Sequence, residues 1–440
     1  MTLAISEAAG AGRQVLPRLL AGVTGGGRAG LLEHEDLLGP LPLPASTASK
    51  RADRARAARL IDVVERSGLT GRGGAGFPTG RKLRSVAAGR GAVVVANGAE
   101  GEPASAKDRL LLTRAPHLVL DGISLAAYAV GADRAYLAVH ETSSRLAAGL
   151  EGAVAARQAA GIDPVPVTLV GIPDRYVASE QSAIVQVING GPALPTFAPP
   201  RTHEKGVDGR PTLVNNVETL AHLALIARFG DGWFRSAGTP AAPGTMLVTI
   251  SGAVARPGVY EIELGTPLGT VLMQAGGPTE PLQAILTGGF FGTWLPVETA
   301  WHLPLTLRGV RAGGGTLGAG IIVALSAAAC GLAETARVVR YLAHETAGQC
   351  GPCIFGLPAL AEVLAGLAYG GGRQLPERIR ELIPLVEGRG ACRHPDGATQ
   401  LARSALRAFA PDARWHAERG PCGGVRYGPV LSVPGDLEAW

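Results

Sequence analysis

The run GLTGRGGAGFPTGRKL, residues 68–83, sets six glycines around Arg72, Arg81 and Lys82. Glycine has no Cβ, so its backbone can come close to a phosphate and adopt positive φ. Successive amides in such a loop form an anion-binding concavity, and nearby cations add charge. The competing reading is a mobile linker in a chain that already holds 63 glycines. The run has no serine padding, however, and it carries an aromatic, Phe77. We therefore expect a cofactor loop.

Three further strings could carry chemistry. In VVVANGAEGEPASAKDR (93–109) an apolar run ends at Asn97 and is followed by Glu100, Glu102, Lys107 and Asp108. Ligands of open α/β sheets bind at such a strand C-terminus, although a solvated turn has the same composition. In RPTLVNNVETLAHL (210–223), Asn215 and Asn216 precede Glu218 and Thr219. Amides and a hydroxyl at a helix start can meet an anion or simply cap the helix. With the first two strings, a phosphate or ribityl site is the better reading. In HETAGQCGPCIFG (344–356), Cys350 and Cys353 flank Gly-Pro, and Cys392 follows further on. That spacing suits thiolates on an iron–sulfur cluster or zinc. It is one ligand short of four, so a redox dithiol or inert thiols remain alternatives.

These strings need elements to hold them. Apolar spacing predicts a helix over 54–67, a buried strand at 92–96, a helix over 118–132, a strand at 135–139, a helix over 143–160 and a strand at 165–170. The alternation implies an α/β domain with a mostly parallel sheet. No strand-tight GxGxxG with a later acidic residue is present, so an ordinary dinucleotide fingerprint is not expected. Segments 246–254 and 258–262 read as a hairpin around Arg256-Pro257, with a helix at 266–275 and a strand at 320–324, a small α+β unit. Beyond 326 the pattern is helical, with helices at 357–367, 376–385 and 397–409 forming a bundle. The organisation expected is an N-terminal arm (1–55, with a short helix near 13–20), an α/β domain (56–238), an α+β unit (244–325), the bundle (326–415) and a tail (416–440).

Bulk properties bound the function. The chain has 440 residues, 46% hydrophobic and 18% charged, with a net charge of +5. This composition excludes global disorder and suits docking to an acidic redox partner. No basic cluster alternates with aromatics, so nucleic-acid binding is not expected. Lysine occurs only at 50, 82, 107 and 205, and two of these lie in the suspected cofactor strings. Five cysteines, an odd number, argue for a metal site or free thiols in a reducing compartment. There is no signal-peptide pattern, and the longest apolar runs are too short or are broken by Asp121. A cytoplasmic protein without direct membrane insertion is expected.

Together GRGGAGFPTG, EGEP…KDR, PTLVNNVETLA and GQCGPC resemble, in order and spacing, the NADH-binding flavoprotein subunit of respiratory complex I (its F-subunit) and related diaphorase subunits. The resemblance covers about residues 56 to 410. It implies an FMN-binding Rossmann-like α/β domain, a ubiquitin-like β-grasp (SLBB) domain and a cluster-bearing helical bundle. The implied activity is NAD(P)H dehydrogenase chemistry, with electrons passing through FMN and an iron–sulfur cluster (4Fe-4S or 3Fe-4S) to a ferredoxin-like or membrane electron-transfer partner. By position, FMN would be held by Gly71, Arg72, Gly73, Gly74, Gly76, Lys82, Asn97, Glu100, Glu180, Asn215, Asn216 and Thr219. Phe77 and Glu102 would serve the nicotinamide nucleotide, and Cys350, Cys353 and Cys392 the cluster. Hydride transfer between cofactors needs no catalytic acid or base from the chain.

The departures from the family pattern carry expectations of their own. The family's Asn-Ala-Asp-Glu stands as Asn97-Gly98-Ala99-Glu100, its Gly-Glu-Glu as Ser179-Glu180-Gln181, and its Lys-Pro-Pro-Phe as Ala198-Pro199-Pro200-Arg201. Ala347 occupies the place of the first cluster cysteine. Arg201 would tilt preference toward NADPH, and His344, His394, Cys330 and Cys422 are candidates for the missing cluster ligand. The alternative function is an electron-relay or scaffold subunit that no longer binds NADH.

Overall fold

The structure, a computed structural model, describes residues 17–21, 23, 27–43 and 49–435. Half of the helix expected near 13–20 lies outside these residues, and 18–21 form a bend and turn in place of the rest. Part of the expected arm is integral to the fold. Leu19, Leu20 and Val23 are buried in the first core, and the Arg18, Leu19 and Leu20 amides all donate to the Glu261 carboxylate.

The helix Lys50–Ser67 begins where Ser49 accepts the Ala52 amide and ends at Gly68, φ +75°. Its buried Ile61 and Val64 lock it to the core, and this aims the chain into the glycine loop. Four parallel strands follow: β1 (Val93–Asn97), β2 (Arg134–His140), β3 (Val167–Ile172) and β4 (Thr212–Asn216), in the order β3-β2-β1-β4. The all-apolar VVVA of β1 is explained by burial on both faces, as parallel strands require. β4 pairs on the far side of β1, with Asn97 opposite Asn216 and Ala96 opposite Asn215. The strand order therefore reverses between β1 and β4, where open α/β sheets bind ligands.

Behind the sheet, the helix Pro116–Val130 is buried along nearly its whole length, Asp121 included. Asp121 is paired with Arg157 at 2.8 Å, Arg228 at 2.6 Å and His34 at 2.7 Å, so it anchors the helix Leu31–Leu38 to the domain. Burial opposes the charge on Asp121, but His34, Arg157 and Arg228 together hold its carboxyl below the usual range. Asp121→Ala leaves the buried Arg228 without a carboxylate and Arg157 with Asp163 alone, and an equilibrium denaturation midpoint should report a loss of about 3–5 kcal/mol.

A two-stranded ribbon, β5 (Gly238–Thr239) with β6 (Ala242–Pro243), leads into a second sheet. Its strands are β7 (Thr245–Gly252), β8 (Gly258–Glu263), β9 (Leu282–Thr287), β10 (Thr293–Pro296) and β11 (Ile321–Ser326), ordered β10-β9-β11-β7-β8. β9 and β10 are additions to the elements expected from sequence. Alternate residues of β9 and β11 serve two cores: Leu286, Ile321, Val323 and Leu325 face the helical body, while Ile285, Ile322 and Ala324 face the unit's own core.

The helical body comprises Gly331–His344, Leu357–Ala365, Leu375–Val386, His394–Ala408 and Ala410–Arg419, the last lying where the sequence shows no clear period. Trp294 ties it to the second sheet through Thr335 and Ser404, each at 3.0 Å. The helical stretch Pro352–Gly370 is long and apolar enough to span a bilayer, with mean hydropathy 1.6. Its Leu357, Leu360, Leu364 and Leu367 are instead buried in the bundle.

Candidate functional site

The glycine loop is closed at its base by Gly71 N–H to Phe77 O and Thr79 N–H to Leu69 O, both 2.9 Å. It is anchored to the β4 side by Arg72 N–H donating to Thr219 Oγ1 at 2.9 Å. Residues 73–76 then arch over a cavity of about 650 Å³, within the roughly 300–1,000 Å³ common for cofactor sites. Gly76 has φ +62°, and a Cβ there would lie 2.3 Å from Leu307 of the second unit. The turn and the close approach of Leu307 both require glycine at this position.

The structure brings most of the expected residues together. Gly71, Gly73, Gly74, Gly76, Phe77, Lys82, Asn97, Glu102, Glu180, Asn215, Asn216 and Thr219 line this single cavity. Asn97 is held by Nδ2 to Ser179 O at 2.9 Å and by its Oδ1 accepting the Ala99 amide at 3.1 Å. Glu180 caps the helix Gln181–Ile188. Phe77 stands at the rim, 51% exposed.

The two asparagines differ. Asn216 caps the long helix Val217–Arg235 through the Glu218 amide at 3.0 Å and donates Nδ2 to Asp108 at 2.6 Å. Asn215 presents a buried Nδ2 with no partner. A buried amide donor left unpaired is costly, so Asn215 is suited to meet a ligand acceptor in the cavity. An anionic, hydrogen-bonding cofactor such as FMN fits this wall.

Two expected contacts differ in place. The Arg72 side chain turns away from the cavity, its guanidinium donating to Thr70 and to Thr245 O at 3.0 Å. Burial lowers its pKa; the arginine is structural here, and only its amide positions the loop. Glu100 also lies outside the lining. Its carboxylate accepts from Ser105 and from the amides of Asp108 (3.0 Å) and Arg109 (3.2 Å), capping the helix Lys107–Arg114. Arg201 is exposed on the segment after Pro195 and does not line the cavity.

Beneath the asparagines lies a buried charge network. Lys107 Nζ meets Asp108 at 2.7 Å and Glu218 at 3.0 Å, with Asn216 Oδ1 at 3.4 Å. Glu218 also accepts the Leu247 amide at 2.9 Å, which joins the helix Val217–Arg235 to β7 of the second sheet. Burial would raise the Glu218 carboxyl, but Lys107, His222 and Arg72 hold it at about 2. Lys82 donates to Val214 O, and burial pushes its ammonium down to about 8 against the opposing pull of Glu180. Burial raises Glu102 to about 7, although Phe290 N–H and Tyr176 OH both donate to it at 3.0 Å.

Sequence reasoning missed part of the wall. Gly288, Phe291, Thr316, Gly318 and Ala319 come from the second unit, and Cys392 and His394 from the bundle. The glycine-rich strings TGGFFGTW (287–294) and GGGTLGAG (313–320) were the available signal. Cys392 thus lies at the cavity edge. Cys353 is buried, and burial followed by the neighbouring Cys350 pushes its thiol up to about 12, with Cys392 also in electrostatic reach. Of the expected replacement ligands, His344 is exposed, and His394 donates Nε2–H to Leu342 O at 2.7 Å, leaving Nδ1 buried without a partner. Cys330 and Cys422 gather around His416 instead.

Comparison with known proteins follows the same division. Residues 64–225 match the family model of the Nuo51 FMN-binding domain, 247–289 the SLBB domain and 333–416 the NADH-ubiquinone oxidoreductase-F iron-sulfur binding region. F-subunit 2 of the NADH-quinone oxidoreductase of Rhizobium meliloti (strain 1021) is 32% identical over 378 residues, covering 82% of this chain and 90% of that protein. The chain belongs to the NADH-quinone oxidoreductase F-subunit family. The F-subunit of the Streptomyces coelicolor enzyme is 33% identical over 380 residues, 82% of this chain and 84% of its own length. Among solved structures, an NAD+-reducing [NiFe]-hydrogenase in the H2-reduced state superposes with TM-score 0.80 at 30% identity, over 95% of this chain and 68% of that one. The air-oxidized state gives 0.76 at 31% identity, over 84% and 65%. The F-subunit family therefore accounts for all three bodies of the fold.

Proposed function

We propose that this chain is an FMN-dependent NAD(P)H oxidoreductase subunit that accepts electrons from a nicotinamide nucleotide and hands them to a redox partner subunit. Bound FMN supplies hydride acceptance and one-electron release. The residues here supply position: the glycine loop and Asn215 hold the flavin nucleotide at the β1/β4 switch point, and Lys82 adds a cation beside its anionic part. Phe77 at the rim offers a stacking face, and Glu102 lines the same hollow. Orienting two cofactors is itself a large part of such catalysis. The observation that carries this reading is one hollow shared by the loop, the asparagines and Cys392.

Cys350, Cys353 and Cys392 are the donor set for a cluster one thiolate short of four. Ile354 and Phe355, 48% and 73% exposed directly after Cys353, support a docking face for a ferredoxin-like or membrane-associated partner beside that cluster. A cytoplasmic setting accords with five free cysteines. Because Arg201 stands off the cavity, we read NADH rather than NADPH as the donor.

Anaerobic NADH should bleach the flavin absorption of the purified chain, NADPH should do so more slowly, and Cys353→Ser should lose iron and acid-labile sulfide while keeping the flavin. A flavin spectrum that NADH leaves unchanged would favour the relay alternative, and a colourless chain that cannot be reconstituted with FMN would favour a scaffold.

A further inference from the structure

A second cluster of metal-ligating side chains lies in the bundle and contributes nothing to the cavity wall. Cys330 Sγ, His416 Nε2 and Cys422 Sγ all lie within 4.8 Å of one another. Cys330 Sγ stands 3.7 Å from His416 Nε2. With Zn–S near 2.3 Å and Zn–N near 2.05 Å, tetrahedral coordination places two such atoms about 3.6 Å apart. The spacing is that of ligands around one ion.

The surroundings are built in the same sense. His416, fully buried, donates Nδ1–H to Leu367 O at 3.1 Å. That fixes the tautomer and directs the Nε2 lone pair at the two sulfurs, the arrangement usual for a zinc-bound imidazole. Here the lone pair accepts the Cys422 amide at 3.1 Å, a bond that coordination replaces. Cys330 caps the helix Gly331–His344 and accepts the Ala333 amide at 3.4 Å, which fixes the position of its sulfur. Gly424 passes so close to 328–330 that a Cβ would lie 2.9 Å from Ala328 O. This close passage brings Cys422 onto Cys330.

We propose that Cys330, His416 and Cys422 form a Zn²⁺ site with a fourth position open to water. Two thiolates and an imidazole select a soft, borderline divalent ion, and binding releases the thiol protons to solvent. The ion would clip the segment after the last helix to the start of the bundle's first helix, apart from any cluster on Cys350, Cys353 and Cys392.

The full-length chain, purified anaerobically with a reductant and stripped with a chelator, is titrated with Co²⁺ and then with Zn²⁺ against a chromophoric chelator. The expected result, read in Cys350→Ser so that the other thiol set takes up no ion, is one equivalent bound, with tetrahedral cobalt absorption and thiolate charge transfer, and a Tm raised by zinc. Cys422→Ser, whose side chain is only half-buried, should lower affinity more than about 100-fold, and Cys350→Ser should leave it unchanged. Cys330→Ser serves as the second variant. Binding that follows Cys350 instead of Cys422, no stoichiometric binding, or a Cys330–Cys422 disulfide persisting in the reduced chain would each overturn the proposal.

Discussion

Lys107→Met should cost about 3–5 kcal/mol of stability at neutral pH, the penalty of stripping the partner from a buried charge. Methionine matches the lysine in length, so the loss reports charge rather than a cavity. Lys107 is 1% exposed and faces two carboxylates, Asp108 and the fully buried Glu218. Once it is gone, Arg72 Nε at 3.9 Å is the cation left near Glu218, because burial pushes the His222 imidazole, 3.8 Å away, down to about 4 and leaves it neutral. The pH dependence distinguishes this cause from general damage. In the wild type the Glu218 carboxyl is held at about 2, below its unfolded value, so its contribution is present above the unfolded pKa and fades only as pH falls toward 2. In the variant the same carboxyl rises above its unfolded value, so the deficit is greatest at neutral pH and shrinks as acid protonates it. Glu218→Gln in the Lys107→Met background should recover part of the loss. Chemical denaturation at pH 5 and pH 7.5 measures this. An equal deficit at both values would show that the network is not its source. FMN loading should fall as well, since Asn216 takes its orientation from Asp108 and Lys107.

Affinity for FMN should fall about tenfold per pH unit above pH 8 and stay nearly flat between 7 and 8. Burial brings the Lys82 ammonium down to about 8 in the free chain. An anionic ligand favours the charged lysine and raises that pKa on binding, so complex formation takes up a proton once the free site has lost it. The FMN phosphate is already a dianion above pH 7, its second pKa being near 6, so the slope belongs to the protein. Lys82→Met should lower affinity at pH 7 by roughly 10- to 100-fold, equivalent to about 1.5–3 kcal/mol for a charge-assisted bond, and should abolish the slope. Lys82→Arg should keep affinity pH-independent, because guanidinium stays charged. Fluorescence quenching of FMN by apoprotein from pH 6.5 to 9.5 tests all three. Parallel profiles for wild type and Lys82→Met would exclude Lys82 as the responsible group.

The α/β body was legible because its signals are local. VVVA, AYLAV and the apolar periods between them become β1, β2 and their helices within two or three residues, and chemistry-bearing strings sit at strand ends. The second sheet was half legible. LQAILT is too short and too mixed to declare itself, since its two faces answer to two different cores. The last helix, Ala410–Arg419, buries only Ala413, His416 and Ala417, residues too small or polar to draw a hydrophobic stripe. For the site, spacing could mark the loop and the asparagines but not side-chain direction. Nothing local says that Arg72 turns toward Thr245, or that Glu100 spends its carboxylate on helix amides. The trio of Cys330, His416 and Cys422 was invisible for a simpler reason: 86 residues separate the first two.

Glu102 receives Tyr176 from the parallel-sheet body and Phe290 from the mixed-sheet unit, and the hollow it faces is finished by His394 of the helices. No single body could therefore display this pocket if expressed alone. Small rocking of any one against the others would change its shape. A nucleotide lodged there would touch all three, so loading it would tie the parallel-sheet body to the sheet and helices that already share a core.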